Sequence, residues 1–388
     1  MLTLFLGRIL FLEKAMSEST LKTPGQLFDD IVAGISTDDR LIAIWNTAPF
    51  LNTLYGVSLK DYYFNAETKL HVQVRFQNDF PDFYCFPGIW ADFGALMEPS
   101  AFGCLIQWPQ KGMPMAQPVI RNSGDFASVK PIHPQKDGLM PQALEQYKYF
   151  WKHLAKKYIE NYGYLNGVAS SFGPVELAAV LMGHGHFFIG LFKRPEKIHE
   201  LLKVTTDSVI GWLKAQEEIN GSLRLISIAD HIPGQVSRAH FEEFWLPYTN
   251  HVADEFPSAR LIYHNEFPVP YVEALGEFRF HVFHFGGELD PVKHALGERV
   301  TLVGNLHPVS LMLKGSVEEI QAQALDCLKK GAPGGRFILS TAGGLAPETP
   351  MENLEAMAAA LKLFSSDNKD ASCFDKKDRR LSCEPAGK

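Results

Sequence analysis

Short apolar runs alternate with amphipathic helical segments along the second half of the chain. The apolar runs are residues 168–172, 223–229, 261–263, 280–285, 300–303 and 337–339. Residues 238–256 and 317–330 lie between such runs, and Ser237 and Ser316 precede these two segments as candidate N-caps. Because strands that alternate with helices form parallel sheets with right-handed crossovers, the pattern predicts an α/β fold with a parallel sheet.

Polar or small residues close each of these predicted strands. They are Ser170-Ser171, Asp230-His231, His264-Asn265-Glu266, His284, Asn305 and Ser340. In a (β/α)8 barrel the chemistry lies at the carboxyl ends of the strands, so this pattern favours a single (β/α)8 TIM barrel. An open doubly wound sheet is the alternative, but it is expected to carry a glycine-rich fingerprint after its first strand, and the sequence has none.

The domain boundaries follow from changes in composition. Residues 40–45 form the predicted first strand, and residues 80–118, rich in proline and aromatic residues, are expected to form long loops over one barrel mouth. We expect an N-terminal lead over residues 1–20, which a second start at Met16 would make dispensable. A barrel follows over residues 21–364, and then a disordered charged tail over residues 365–388.

The composition excludes several classes of protein. With 46% hydrophobic residues the chain can bury a substantial core, and a formal charge of -7 argues against a general nucleic-acid binder, which needs a basic face. The five cysteines include no CxxC pair, which is typical of a reducing, cytoplasmic compartment. The apolar N-terminal stretch is interrupted by Arg8 and by Glu13-Lys14, so we expect no membrane-spanning segment.

His264 and Glu266 are the best local candidates for chemistry. Residues two apart on a strand share a face, so both side chains are expected to point the same way at a strand end. Imidazole and carboxylate are ordinary zinc ligands, and a strand end would hold them rigidly. The alternative is a hydrogen-bonded polar strand end without metal.

Other strand ends add further candidates. Adjacent strand residues face opposite ways, so Asp230 rather than His231 is expected to face the barrel mouth, as an acid/base or a hydrogen-bond acceptor. A role for Asp230 as a cap on the following loop is the alternative. The candidate substrate-binding residues are His284, Asn305, Ser340, Gly343 and Gly344, where glycines after a strand let a ligand approach the backbone closely.

One further motif carries less weight, and the common nucleophile motifs are absent from the sequence. His184-x-His186 has metal-like spacing, but the surrounding glycines favour a loop. The sequence contains no GxSxG elbow and no cysteine at a strand end, so nucleophilic serine or cysteine catalysis is not expected.

The stretch "VTLVGNLHPVSLMLKGSVEEIQAQALDCLKKGAPGGRFILSTAGGLAPETPMENLEAM" resembles the C-terminal part of the uroporphyrinogen decarboxylase superfamily. The usual form there is a GN-x-DP turn, a helix, a Gly-rich connector, a strand, a Gly-rich loop and a TP-x-EN helix start. The similarity extends upstream through "HIPGQVSRAHFEEFWLPY", "SSFGPVELAAVLMG" and, more faintly, "IWADFGALMEPSAFGCLIQWP". It covers most of residues 45–363, and it implies a (β/α)8 barrel.

Departures from the family pattern distinguish its branches. True uroporphyrinogen decarboxylases carry an RQAGR segment near the first strand, whereas the corresponding "AIWNTAPFLNTLYG" has no arginine to pair with a carboxylate-rich substrate. Asp92 matches their pyrrole-binding aspartate, but Val180 replaces their tyrosine and Gly343 their histidine. These departures disfavour uroporphyrinogen decarboxylation.

The second branch comprises the cobalamin-linked methyltransferases. Members that act on thiols bind zinc through a His-x-Cys at one strand end and a cysteine in the Gly-rich loop after the last strand. Here His264-Asn265-Glu266 matches the first element with Glu266 in the place of the cysteine, and Gly343 stands at the second position. The resemblance implies a zinc site at His264 and Glu266, with Asp92 or Asp230 assisting.

The favoured hypothesis is a methyltransferase that moves a methyl group between a small methylated substrate and a corrinoid. Glu266 would protonate the leaving oxygen of a methyl ether. Because the sequence has no recognisable corrinoid-binding domain, the corrinoid is expected on a separate partner protein; barrels of this kind also often form homodimers. A decarboxylase or other lyase acting on a smaller carboxylate through Asp92 and His264 is the first alternative, and a non-catalytic ligand-binding barrel is the second.

Overall fold

The computed structural model describes residues 22–35, 39–109, 112–122 and 124–381, with most side chains as far as residue 366. The predicted N-terminal lead, residues 1–20, lies outside the described residues. Eight parallel strands form the main sheet, and they are β1 (Ile42–Trp45), β2 (Phe83–Phe86), β5 (Val168–Phe172), β6 (Leu225–Ala229), β7 (Arg260–Asn265), β8 (Val282–Phe285), β9 (Thr301–Leu306) and β10 (Phe337–Thr341). A separate antiparallel pair consists of β3 (Ile106–Gln107) and β4 (Met115–Ala116).

The order of the strands across the main sheet is β2-β1-β10-β9-β8-β7-β6-β5. The sheet curls so that its two outermost strands approach each other, because Phe86 of β2 and Ser170 and Ser171 of β5 line one cavity. All the ladders in this sheet are parallel. The predicted (β/α)8 barrel is therefore confirmed.

Helices surround the sheet, and their ends follow ordinary capping rules. For example, Ser316 and Glu319 form a reciprocal capping box at the start of one helix, whose residues Ile320, Ala324 and Leu328 are buried. The helices are Pro24–Ala33, Phe50–Leu54, Leu59–Phe64, Ala66–Asp79, Met97–Ala101, Met140–His153, Lys156–Tyr162, Pro174–Met182, His184–Lys193, Pro195–Asn220, Arg238–His240, Leu246–Glu255, Leu289–Leu296, Val317–Gly331 and Met351–Leu381. Short 3-10 turns occur at Gly94–Leu96, Asp125–Ser128, Ile232–Gln235 and Val272–Glu277, and a π-helical turn at Phe241–Trp245.

The register of the parallel ladders brings polar strand ends side by side. Ala229 of β6 is paired with His264 of β7, and His264 is paired with His284 of β8. Across the next part of the sheet, Ser340 of β10 is paired with Asn305 of β9. The carboxyl ends of these strands form one edge of the barrel, as the sequence predicts.

One sequence-based expectation differs from the structure. His184 and His186 lie in the first turn of the helix His184–Lys193, not in a loop, because Gly183 (φ 76°) allows the chain to turn sharply between two helices. The last helix is Met351–Leu381, so it includes part of the region for which the sequence predicts a disordered tail. That tail and the other domain boundaries stay predictions.

Among the described residues, no single helix has the length and apolar character needed to cross a membrane. The helices Pro174–Met182 and His184–Lys193, bent at 104° to each other, meet the length and composition criteria only when they are taken together.

Candidate functional site

A cavity opens among the carboxyl ends of the strands, with a volume of about 960 Å³ when the open space at its mouth is counted. Its wall is largely aromatic and aliphatic, and no lysine or arginine is among the described residues that line it. The lining residues are Trp45, Thr47, Ala48, Phe86, Pro87, Trp90, Gly94, Ala95, Met97, Glu98, Met113, Ser170, Ser171, Phe172, Ser227, Ile228, Ala229, Ile262 and His264. The cavity suits a small, largely apolar molecule.

His264 is the link between this cavity and a cluster of polar side chains. Its side chain is only 3% exposed, and its ring lies edge-on to Trp45 at 3.8 Å between centroids. Nδ1 of His264 lies 2.8 Å from Nδ1 of His284, and Nε2 of His284 lies 2.8 Å from the carbonyl oxygen of Thr341.

This chain of contacts fixes where the protons lie. A carbonyl only accepts, so His284 donates through Nε2, and its Nδ1 is left to accept the hydrogen that His264 carries on Nδ1. Burial lowers the pKa of His264 and of His284 well below the usual value, so both rings are neutral. Nε2 of His264 therefore presents a lone pair, as a metal-ligating histidine must.

Glu266 faces that lone pair. Its carboxylate oxygen Oε1 lies 3.5 Å from Nε2 of His264 and accepts a hydrogen bond of 3.2 Å from the amide of Gly344. A Cβ atom on Gly343 would lie only 2.2 Å from Oε1 of Glu266, so the glycine provides the space that the carboxylate occupies. The side chain of Glu266 is 46% exposed, which places it at the rim of the site.

His231 completes the cluster, contrary to the expectation that Asp230 faces the site. His231 has the helical backbone angles φ -97° and ψ -2°, so the alternation of side chains that holds within a strand does not extend to it. One ligand atom from each of His231, His264 and Glu266 lies within 4.8 Å of those of the other two.

Glu176 orients His231 from behind. Oε2 of Glu176 lies 3.4 Å from Nδ1 of His231 and accepts a hydrogen bond of 2.9 Å from its backbone amide, while Oε1 lies 3.1 Å from Nε2 of His184. Burial on its own would raise the pKa of Glu176. Its hydrogen bonds to His184 and His231 outweigh that effect and hold the pKa of Glu176 below the usual range. Burial alone would lower the pKa of His231, but the hydrogen bond and charge of Glu176 raise it.

This arrangement leaves the second ring nitrogen of His231, Nε2, for the site. A carboxylate that stabilises positive charge on an imidazole also strengthens that imidazole as a metal ligand. His231, His264 and Glu266 together form a nitrogen and oxygen donor set that suits zinc.

Asp230 lies beneath the site as a structural acceptor. Oδ2 of Asp230 accepts from the amide of Glu176 at 3.1 Å, and Oδ1 accepts from the amide of Ile232 at 3.1 Å. Burial, followed by the charge of Glu176, raises the pKa of Asp230 to about 7. The carboxyl thus caps the helix Pro174–Met182 and its own following turn, as in the alternative interpretation.

Asp92 is also held away from the cavity wall. Its carboxylate accepts hydrogen bonds from Thr47 Oγ1 and from the amides of Ala48 and Gly94, at 3.1, 2.8 and 2.7 Å. The buried ammonium of Lys69 donates to its backbone carbonyl at 2.6 Å. Asp92 is fully buried and organises the loop beneath the cavity.

The remaining candidates do not line the described cavity. Asn305 donates to the carbonyl of Gly287 at 2.6 Å, and Oγ of the buried Ser340 has no hydrogen-bond partner among the described residues. His284, Gly343 and Gly344 act on the site through His264 and Glu266.

Sequence reasoning missed two acidic residues. Glu176 lies within "SSFGPVELAAVLMG" and Glu98 within "IWADFGALMEPSAFGCLIQWP", both of which carry the family resemblance, but neither follows a predicted strand directly. Glu98 lines the cavity, and burial raises its pKa. The signal that the sequence offered for these two residues was a carboxylate among apolar residues in a helical segment.

Comparison with known proteins gives a consistent family assignment. The sequence model of the uroporphyrinogen decarboxylase (URO-D) family matches residues 49–364. The chain is 30% identical over 177 residues to a uroporphyrinogen decarboxylase of Prochlorococcus marinus, a match that covers 44% of this chain and 49% of that protein. This chain thus matches about half the length of such relatives.

Methyltransferases are among the similar proteins as well. The chain is 23% identical over 277 residues to a methylated-thiol–coenzyme M methyltransferase of Methanosarcina mazei, covering 70% of this chain and 71% of that protein. A solved structure, a methyltransferase from Methanosarcina mazei, superposes with a TM-score of 0.75 at 20% identity and covers 89% of this chain and 99% of that one. The structural likeness shows the same fold.

Proposed function

This chain belongs to the uroporphyrinogen decarboxylase (URO-D) family, and from that premise we propose that it is a corrinoid-dependent methyltransferase. It moves a methyl group between a small methylated substrate, held in the cavity, and a corrinoid on a partner protein that docks over the barrel mouth. Its similarity to a methylated-thiol–coenzyme M methyltransferase supports methyl transfer as the reaction class.

The observation that carries the proposal is the cluster of His231, His264 and Glu266 beside the cavity. His264 belongs both to the cluster and to the cavity wall, so a substrate in the cavity lies next to the cluster. The lone pair on Nε2 of His264 and the carboxylate of Glu266 face each other without a hydrogen between them, which leaves both free to bind a cation.

We infer that these three residues hold zinc. When bound there, zinc would polarise the oxygen or sulfur atom that carries the methyl group. His284 keeps the proton of His264 on Nδ1, and Glu176 fixes the ring of His231. Glu266 then serves as a ligand, not as the acid that protonates a leaving oxygen.

The cavity is a poor site for the alternative, decarboxylation of a small carboxylate. A substrate carboxylate would find no lysine or arginine among the described residues that line the wall. Asp92, the acid which that reaction would use, does not line the cavity, and its carboxylate is already bound by three donors.

Elemental analysis after reconstitution with zinc tests the site. We expect stoichiometric zinc in the wild type and in His251→Ala, an exposed control, and loss of zinc in His264→Ala and Glu266→Gln. The reaction is tested by the visible spectrum of a corrinoid protein mixed with the enzyme and methyl ethers or methylated thiols. Equal zinc in His264→Ala and His251→Ala refutes the metal site, and an unchanged cobalt spectrum across the substrate panel refutes the reaction.

A further inference from the structure

Glu98 is a buried carboxyl on the cavity wall that the proposed metal site does not use. It lies in the short helix Met97–Ala101 and is only 5% exposed. Oγ of Ser171 donates to its Oε1 at 3.2 Å, and the amide of Phe172 donates to the same oxygen at 3.0 Å. The strand β5 therefore fixes the orientation of this carboxyl group.

These contacts indicate which oxygen carries the proton. An oxygen that accepts two hydrogen bonds has the role of the carbonyl oxygen in a neutral carboxyl group, so the hydroxyl is expected on Oε2. Burial raises the pKa of Glu98, which favours this neutral form. Glu98 can then donate one hydrogen bond to a molecule in the cavity.

Two more donors on the cavity wall lack partners. Nε1 of Trp45 and Oγ of Ser227 are buried, and neither has a hydrogen-bond partner among the described residues, although both residues line the cavity. Buried donors in native proteins are normally satisfied. Both atoms have almost no accessible surface, so neither meets a ligand without a shift of its side chain, and Glu98 is the main donor on the wall.

The charge of the wall restricts that ligand further. An anionic group would enter an apolar cavity without a countercharge, because neither lysine nor arginine lines it in the described part of the chain. A cationic group would require Glu98 to ionise in a buried position, which costs free energy. An uncharged molecule with acceptor oxygens avoids both costs.

We propose that Glu98 is the substrate-binding residue that selects an uncharged, oxygen-bearing methyl donor with an aromatic or similarly apolar body. The body packs against the aromatic wall formed by Trp45, Phe86, Trp90 and Phe172, and the hydroxyl of Glu98 donates to an oxygen of the donor. This inference rests on the proposed methyl transfer, since it identifies the donor as the molecule in the cavity.

Equilibrium binding of three matched probes tests the inference. The probes are 2-methoxybenzyl alcohol, 2-methoxybenzoate and 2-methoxybenzylammonium, which share the ring and the methoxy group and differ in the charge of one substituent. Binding is followed by the change in fluorescence of the six tryptophans, of which Trp45 and Trp90 line the cavity, on the zinc-reconstituted full chain. We expect the alcohol to bind on the order of tenfold more tightly than either charged probe.

Variants of Glu98 test whether this residue causes the selectivity for the uncharged probe. Glu98→Gln keeps a donor of the same shape and should hold affinity for the alcohol within about threefold, whereas Glu98→Leu should weaken it on the order of tenfold. Glu298→Gln, on the exposed surface, is the matched control. Thermal unfolding of each variant verifies that it is folded.

Any result other than these expected ones contradicts the inference. Tighter binding of the ammonium probe would mean that Glu98 is ionised, and tighter binding of the benzoate would mean an anion site. Absence of alcohol binding, or a folded Glu98→Leu variant with wild-type affinity, would remove Glu98 from substrate recognition. Because no corrinoid protein or turnover enters this measurement, a failed methyl-transfer assay with intact selectivity contradicts the proposed reaction alone.

Discussion

Glu266 occupies the space that a side chain on Gly343 would need, since a Cβ atom there would lie 2.2 Å from Oε1 of the carboxylate. The family resemblance drawn from the sequence implies cysteines at both positions in members that act on thiols. The two replacements therefore compensate for each other: a longer side chain at one position fills the volume that a missing side chain leaves at the other. The absence of a side chain at Gly343 thus allows the side chain of Glu266 to reach the cluster.

This coupling predicts the behaviour of a double-mutant cycle. Gly343→Cys alone should displace Glu266 and weaken zinc binding at least about tenfold, while Glu266→Cys with Gly343→Cys should recover binding through two thiolates. The measurement is zinc affinity by competition with a chromophoric chelator. Gly211→Ala, in the helix Pro195–Asn220, is the control, because a Cβ atom there would have no neighbour from another element within 4 Å. Independent, additive effects of the two cysteines would contradict the coupling.

Glu176 should act on zinc affinity through His231. Glu176→Gln removes the charge that faces Nδ1 of His231 at 3.4 Å, and loss of such a partner typically weakens metal binding about 10- to 100-fold. His184→Ala removes the other partner of the same carboxylate, at 3.1 Å, and should have a much smaller effect. The zinc affinity of both variants is measured by competition with a chromophoric chelator. Equal losses would indicate that Glu176 supports the helix rather than His231.

The sequence predicted the fold and named two of the three members of the candidate metal cluster. Apolar runs with polar ends indicated the barrel and placed His264 and Glu266 at the carboxyl ends of its strands, because both properties are encoded locally along a strand. The third member, His231, was assigned to the wrong face, since the chain leaves the strand at Ala229 and adopts helical angles at His231. Alternation within a strand says nothing about the first residues beyond it.

Contacts between distant segments could not be predicted. The bond between His264 and His284 depends on the register of β7 against β8, and the bond between Glu176 and His231 spans two segments that meet only in the folded barrel. The role of Asp230 as a cap was open on the sequence alone, and its two backbone donors, which support that role, come from contacts in the folded barrel. These relationships are tertiary, and a single sequence does not encode them as local patterns.

The capping role of Asp230 makes a prediction about stability. Asp230→Ala leaves the buried amides of Glu176 and Ile232 without acceptors and should lower the free energy of unfolding by about 1–3 kcal/mol. Asp230→Asn keeps one acceptor oxygen and should cost less. Asp254→Ala, at an exposed position, is the control and should stay within about 0.5 kcal/mol of the wild type. Urea unfolding measures all three, and a wild-type stability for Asp230→Ala would argue against the cap.

The protonation of Glu98 predicts a dependence of stability on pH. Because burial raises the pKa of Glu98 above its ordinary value of 4.5, the folded state binds this proton more tightly than the unfolded chain. The stability that the protonated carboxyl of Glu98 contributes is therefore fully present below pH 4.5. It is lost as the pH rises through the pKa of Glu98 in the folded state. As the pH rises above 4.5, the free energy of unfolding of the wild type should fall relative to that of Glu98→Gln, which cannot ionise.

Urea unfolding of the wild type and Glu98→Gln at matched pH values isolates this effect, since all other titrating groups are common to both proteins. Glu298→Gln should follow the wild type at every pH, because this side chain is exposed. A difference between wild type and Glu98→Gln that stays constant, or that grows in favour of the wild type as the pH rises, would mean that Glu98 is ionised in the folded protein. The neutral carboxyl, and with it the selection of an uncharged methyl donor, would then be wrong.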